Sequence, residues 1–287
     1  MKQENHIKAD NNLPAGSITY IEAVRGMIPL NLHELWEFRD LAVFILWRDL
    51  SAAYRQTAFG ALWMILTPII TVVISTVIFS TVAKLPSDGI PYPMFSMAGT
   101  LAWGFFSSCL LAGSGSLLGY KDLISKVYFP RLIIPVVGVL KALIDLLIVS
   151  VILFAMMYHY GYGIGWNVLF IPLFLLLAAV TGVGVGLWVA PWVVHFRDVH
   201  QVVFYGLRGW MYATPIVYGA SLIPAKWQTL YHLNPMTNVV EGFRWALLGT
   251  ARPPLTMVLV SCIIVVLVMI SGAYHFRRAD RNIVDIT

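Results

Sequence analysis

Few residues in this sequence have the types and spacing for chemistry. His195, Asp198 and His200 form a short cluster, and imidazole with carboxylate is a familiar metal-ligand set. Four ligands close a structural metal site, and no further cluster lies nearby. An ordinary charged turn in which Asp198 caps the next helix therefore explains them better than a metal. Gly113 to Lys121 reads GSGSLLGYK. A phosphate-cradling loop needs GxxxxGK[ST], whereas Lys121 here stands two positions after Gly119 and is followed by Asp122. Any ATP hydrolysis, with its ATP and magnesium, must therefore belong to another chain, and no cofactor is expected in this one. Cys109 and Cys262 fall in apolar runs with no CxxC or metal spacing and read as small buried apolar residues. There is also no DxD pair or carboxylate cluster of the kind a polyprenyl-lipid glycosyl- or phosphotransferase would need.

What remains are ionisable and aromatic groups inside apolar stretches, which are candidates for a transport path or gate. Lys141 and Asp145 are four apart and share a helix face. They form either part of a polar path or a mutually neutralising pair with the lysine reaching toward the headgroups. Arg208 has no carboxylate within a turn. Its guanidinium suits a diphosphate or acidic sugar in a channel, or alternatively the carbonyls of a broken segment or Glu241. Tyr205, Trp210 and Tyr212 stand around it, and Trp103, Phe105, Phe106, Trp188, Trp192, Trp227 and Trp245 add further aromatic surface. Such rings could stack on sugars in a channel, or mark the two interfaces of a membrane.

These residues must be positioned by membrane helices. The chain has 287 residues, 59% of them hydrophobic and 11% charged, with a mean hydropathy of +0.78, too little polar surface to cover a soluble globule. The net charge of +5 is spread over flanks and short loops without a long basic run, so nucleic acid is not an expected partner. The expected fold is all-α, with six transmembrane helices at about 61–83, 94–113, 132–158, 167–190, 199–218 and 255–274, each near the ~20 residues a crossing needs. Residues 1–31 form a polar lead-in without a signal-peptide core. Residues 32–55 form an amphipathic helix rich in Trp and Phe, of the kind that lies in the headgroup plane. Residues 56–276 form the membrane domain and 277–287 a tail. Between the fifth and sixth spans, residues 219–254 carry Pro224, Pro235, Pro253 and Pro254 and are too broken for a crossing. Re-entrant or interfacial helices fit there.

Alternate loops share a compartment, so basic residues set the orientation. One side collects Lys2, Lys8, Arg25, Arg39, Arg48, Arg55, Lys121, Lys126, Arg131, Arg197, Arg277, Arg278 and Arg281. The other has Lys84, Lys226, Arg244 and Arg252. Both termini are therefore expected in the cytoplasm. No internal repeat is present, which disfavours a secondary carrier.

Five stretches, in this order, carry a resemblance: LWRDLSAAYRQTAFGALWMILTPI (Leu46 to Ile69), LISKVYFPRLIIP (Leu123 to Pro135), FRDV (Phe196 to Val199), TPIVY (Thr214 to Tyr218) and LNPMTNVVEGFRWALLG (Leu233 to Gly249). Together they resemble the membrane subunits of bacterial ABC-2 type polysaccharide exporters, and SDGIPYPMFSMAGTLAWGFF (Ser87 to Phe106) is most similar to the lipopolysaccharide O-antigen subfamily. Capsule and teichoic acid exporters are the near alternatives. A polyprenyl-lipid enzyme and an ATP-independent channel or carrier are the readings from other classes.

The resemblance implies a homodimeric channel in the inner membrane. An undecaprenyl-linked glycan is its cargo, membrane lipids surround it, and one separate ATP-binding cassette ATPase docks on each copy. It places an ATPase-coupling helix at about 117–128, with Leu117, Lys121, Asp122, Leu123, Ile124, Lys126 and Val127 as contacts. It places an ATPase-touching N-terminal helix around Leu35, Trp36, Arg39 and Leu41. The channel or gate candidates are Lys141, Asp145, Tyr205, Arg208, Trp210 and Tyr212.

Overall fold

The computed structural model describes residues 36–55, 62–120, 123, 129–196 and 198–283, and all regular structure among them is helical. The helices are α1 (Arg39–Arg55), α2 (Leu62–Ser75), α3 (Tyr92–Ser114), α4 (Ile133–His159), α5 (Ile171–His195), α6 (Val199–Tyr212), α7 (Ala225–His232), α8 (Pro235–Leu248) and α9 (Leu255–Ile283). A π-helical stretch, Thr76–Val82, continues α2, and a 3-10 turn, Trp166–Phe170, leads into α5. Five of these runs, Leu62–Val82, Tyr92–Ser114, Ile133–His159, Trp166–His195 and Leu255–Ala279, are long and apolar enough to cross a membrane. The chain is a multi-pass membrane protein.

Helix α3 is the axis of the bundle. Residues from Met94 to Cys109 along it are buried on nearly every side, and α2, α4, α5 and α8 all pack on it. Lipid tails are as apolar as leucine, so helices associate in a membrane mainly by close packing, and small residues permit the closest approach. Helix α5 supplies them as Gly182, Gly184 and Gly186. A Cβ on Gly186 would lie 2.5 Å from the Leu110 carbonyl oxygen and 2.9 Å from Gly113 Cα, and one on Gly182 would lie 2.8 Å from the Phe106 oxygen. Gly184 faces the other way, toward Met269 of α9, where a Cβ on Gly272 would in turn sit 2.3 Å from the Gly184 oxygen. Period-3.6 geometry thus gives one short glycine run two opposite contact faces.

The expected spans 61–83, 94–113, 132–158 and 167–190 match helices to within a few residues, although α5 runs on to His195. The expected stretch 199–218 differs. Its helix stops at Tyr212, because Pro215 has no N–H to continue the ladder and disfavours helical geometry at Thr214. Fourteen residues rise only ~21 Å. Along this length Trp210 meets Trp103 and Phe106 midway down α3, and past the turn the Val217 carbonyl accepts a hydrogen bond from the Tyr92 hydroxyl at the start of α3. Asp198 stands at the N-cap position, just before α6, but makes no side-chain cap. Its backbone is already helical (φ −71°, ψ −22°), not extended as a capping residue needs, and its carbonyl alone accepts from Gln201 and Val202.

The broken segment resolves into a 3-10 turn, Ala220–Leu222, and two helices, α7 and α8, with local signals at both ends of α8. The Asn234 side chain accepts from the Met236 amide, Pro235 opens the first turn, and Gly249 closes it at φ +71°, the left-handed conformation that glycine adopts without strain. Helix α9 outruns the expected limit of 274 by continuing through Arg277 and Arg278 to Ile283. At the other end, Trp36 and Glu37 form a helical turn before α1.

Candidate functional site

Two clusters at opposite ends of α3 gather most of the polar side chains that the fold brings together. The first lies at the Tyr92 end, where the turn after α6 meets α8. Arg244 of α8 is 2% exposed. Its Nε donates to the Phe95 carbonyl at 3.2 Å, its Nη1 to the Pro215 carbonyl at 2.6 Å and its Nη2 to the Ile216 carbonyl at 2.5 Å. The guanidinium carbon also lies 3.5 Å from the centre of the Phe95 ring, a cation–π contact. Carbonyls past the break at Pro215 thereby gain donors, a requirement for irregular backbone buried away from water. Gly99 leaves room for this, since a Cβ there would stand 2.8 Å from Arg244 Nη2 and 3.0 Å from the Ile216 oxygen.

Around this clamp runs a hydrogen-bonded net. Trp210 Nε1 donates to Asn234 Oδ1 at 3.1 Å, Asn234 Nδ2 donates to Thr214 Oγ1 at 3.0 Å, and Thr214 Oγ1 donates to the Trp210 carbonyl. Buried Asn238 donates to Ser261 Oγ at 2.7 Å and to the His232 carbonyl, while its Oδ1 lies 2.7 Å from His232 Nδ1. Glu241 Oε2 lies 3.8 Å from the same imidazole. Burial raises the Glu241 carboxyl above its ordinary range, with His232 and Arg244 opposing the shift. The Tyr218 and Tyr231 hydroxyls are hydrogen-bonded to each other, tying α7 to the turn. Burial, followed by that bond, raises the Tyr231 phenol.

The second cluster lies beyond Ser114. Asp49 of α1 accepts a hydrogen bond from the Tyr120 hydroxyl and two from Arg48, at 3.1 and 2.9 Å. The Arg48 guanidinium sits 5.0 Å from the centre of the Tyr120 ring. Burial, then the Asp49 bond, raises the Tyr120 phenol. An apolar group of Ile45, Phe129, Ile133, Ile134 and Val137 lies beneath, with Phe38, Leu41, Leu46 and Leu123 packed against it.

Of the expected coupling contacts, Leu117 is buried in the main core and Leu123 packs in this second group. Lys121, Asp122, Ile124, Lys126 and Val127 lie outside the described residues. In the expected N-terminal set, Leu41 packs inward, Trp36 and Arg39 are exposed with the guanidinium 5.5 Å over the indole, and Leu35 lies outside the described residues. Val43, Phe44 and Trp47 give α1 an exposed apolar strip, and Trp36 is exposed just before it.

The channel candidates do not form one site. Tyr205, Arg208 and Tyr212 share an exposed face of α6, with Arg208 4.7 Å over the Phe204 ring, whereas Trp210 turns inward to Trp103 and Phe106. Asp145 lines a separate groove of about 290 Å³ between α2, α3 and α4, with Thr67, Thr71, Thr100 and Ser108 among its walls. Lys141, one turn earlier, is half-buried. Trp103, Phe105 and Phe106 are core packing, while Trp188, Trp192 and Trp227 are about half exposed. By sequence Arg208 is a candidate for a channel anion or for the carbonyls of a broken segment, and Arg244 is a loop cation. The structure reverses this by burying Arg244 within α8. Its signal was available in the apolar residues Val240, Phe243, Leu247 and Leu248, which surround it at helical spacing. Asn234, Asn238, Asp49 and Tyr120 carry no mark in the sequence, because each is tied to another element by bonds to residues 20 to 71 positions away.

The family model of the ABC-2 type transporter matches residues 41–248. The chain belongs to this family. The matched stretch of this ABC-2 transporter subunit begins inside α1 and ends at the last residue of α8, so it contains both clusters apart from Ser261 of α9. The chain is 27% identical over 256 residues to the O-antigen export system permease protein RfbA of Myxococcus xanthus, covering 87% of this chain and 96% of that protein. It is 28% identical over 206 residues to the protein of the same name from Klebsiella pneumoniae, covering 71% and 79%. The inner membrane transport permease YadH of Escherichia coli K12 is 37% identical over 60 residues, 21% of this chain and 23% of that one.

Proposed function

We propose that this ABC-2 subunit forms the membrane part of an ATP-driven exporter. It carries a lipid-linked polysaccharide of the O-antigen type out of the cytoplasm across a bacterial inner membrane. The observation that carries this reading is similarity over nearly the whole length of an O-antigen export permease, 96% of the Myxococcus protein. A separate ATP-binding cassette subunit supplies hydrolysis, since this sequence has no GxxxxGK[ST] loop. Two copies enclose the path, and mechanical coupling, not covalent chemistry, is the task.

Six crossings are part of the proposal. Helix α6 and the turn after it travel from the level of Trp103 and Phe106 on α3 to its Tyr92 end, which supports counting the pair as the fifth crossing. Both termini then fall on the basic, cytoplasmic side. The Arg244 cluster falls outside and the Asp49–Tyr120 cluster inside, next to the expected coupling segment. The exposed apolar strip of α1 rests in the inner headgroup plane.

Purification in mild detergent from the native host tests the reading. The expected result is a complex of two copies of this chain with two copies of a Walker-type ATPase, and accumulation of a lipid-linked glycan in the cytoplasm when the gene is deleted. The composition of that glycan separates O-antigen from capsule or teichoic acid. A stable particle without an ATPase, in a host whose surface glycans are unchanged by the deletion, refutes the exporter and brings forward a channel, carrier or lipid enzyme.

A further inference from the structure

The Asp49–Tyr120 contact joins two elements that the sequence separates by 71 positions. Asp49 is the hub. One carboxylate oxygen takes both donors of Arg48 and the other takes the Tyr120 phenol, and its side chain is only 20% exposed. A bond from a phenol to an ionised carboxylate is among the stronger hydrogen bonds, and the Arg48 guanidinium beside the Tyr120 ring fixes the ring's position. The chain on either side of Tyr120 is held as well. Leu117 is anchored in the main core and Leu123 in the apolar group that contains Ile45 of α1. Tyr120 is therefore a polar pin between two apolar anchors. Helix α1 can shift relative to the segment after α3 only if the pin is released.

We propose that Arg48, Asp49 and Tyr120 form a positioning clasp that makes α1 and the segment after α3 move as one body. A displacement imposed on that segment then reaches α1, and through the Ile45–Ile133–Val137 contact α4, without being absorbed locally. This inference rests on the exporter reading, in which the segment following Tyr120 receives motion from the ATPase. The clasp touches neither nucleotide nor glycan. It acts by keeping two elements in register.

The test uses the complete complex with its ATPase, reconstituted in vesicles, and compares glycan exported per ATP hydrolysed. Tyr120→Phe removes only the hydroxyl, and Asp49→Ala removes the acceptor. Tyr120→Phe is expected to lower the ratio about ten-fold, the worth of one charge-assisted hydrogen bond, and Asp49→Ala, which removes the acceptor of three, at least as much. Asp49→Asn keeps an acceptor oxygen of the same shape and is expected to recover a good part of the loss, which a purely structural defect would not show. An unchanged ratio in Tyr120→Phe overturns the clasp, and so does a loss explained fully by failure of the ATPase to bind that variant. If the unaltered complex shows no ATP-dependent export, the exporter reading falls first and the clasp with it, an outcome separate from unaltered export with an indifferent Tyr120→Phe.

Discussion

Arg244 has three jobs that no other side chain could combine. Its planar fork reaches three carbonyls in two separate strands of chain, its charge lies over Phe95, and its stem fills space inside α8. Lysine offers a compact ammonium that cannot match that fork. Arg244→Ala strands the Pro215 and Ile216 carbonyls in a buried site, and is expected to destabilise the chain by about 3 kcal/mol or more. Arg244→Lys should lie between the two, with thermal unfolding in detergent as the measurement. Gly99→Ala should cost ~1–3 kcal/mol by overpacking, because its methyl would press on the same guanidinium and on the Ile216 carbonyl. The two residues touch, so a double-mutant cycle should be clearly non-additive. Additive losses would mean that the glycine serves something other than the clamp.

At the scale of elements, helix ends and crossings carry the specificity. Asn234 caps α8 and also joins Trp210 and Thr214. Asn234→Ala should therefore exceed the ~1 kcal/mol of an ordinary lost cap and should loosen α6 from α8. Protease or cysteine-accessibility mapping of the turn at Thr214 would register that loosening. Glycines on two helices give a sharper contrast. Gly186→Ala puts a methyl 2.5 Å from the Leu110 carbonyl and must push α5 off α3, whereas the space around Gly206 on α6 is open. The first should lower the unfolding temperature markedly. The second should leave it unchanged or raise it slightly, as alanine is the better helix former by ~1 kcal/mol.

At the scale of the whole molecule, the proposed orientation predicts which loops meet which solution. A cysteine replacing Gly163, between α4 and α5, should react with an impermeant maleimide added outside intact cells. One replacing Arg278, near the end of α9, should react only after the membrane is opened. The reverse pattern would invert the topology and put the Arg244 cluster inside.

The crossings at α2, α3, α4, α5 and α9 were legible from the chain alone, because a bilayer forces an uninterrupted apolar run of fixed length on any helix that spans it. The turn at Pro215, the cap at Asn234 and the closing Gly249 are also local matters of backbone chemistry, but the expected span 199–218 runs through the first and neither of the others is marked by sequence. Family membership followed from the order of short strings, and the matched stretch 41–248 bears it out. What a string such as TPIVY or NPMTNVVEGFRW is for was not legible, because hydrogen bonds between residues far apart in sequence leave no periodic trace. Composition marks Arg208 and Arg244 alike as charges in apolar surroundings. Only the packing of α8 against α3 turns one into a buried clamp and leaves the other on an exposed face, because the energy that distinguishes them comes from carbonyls that another part of the chain supplies.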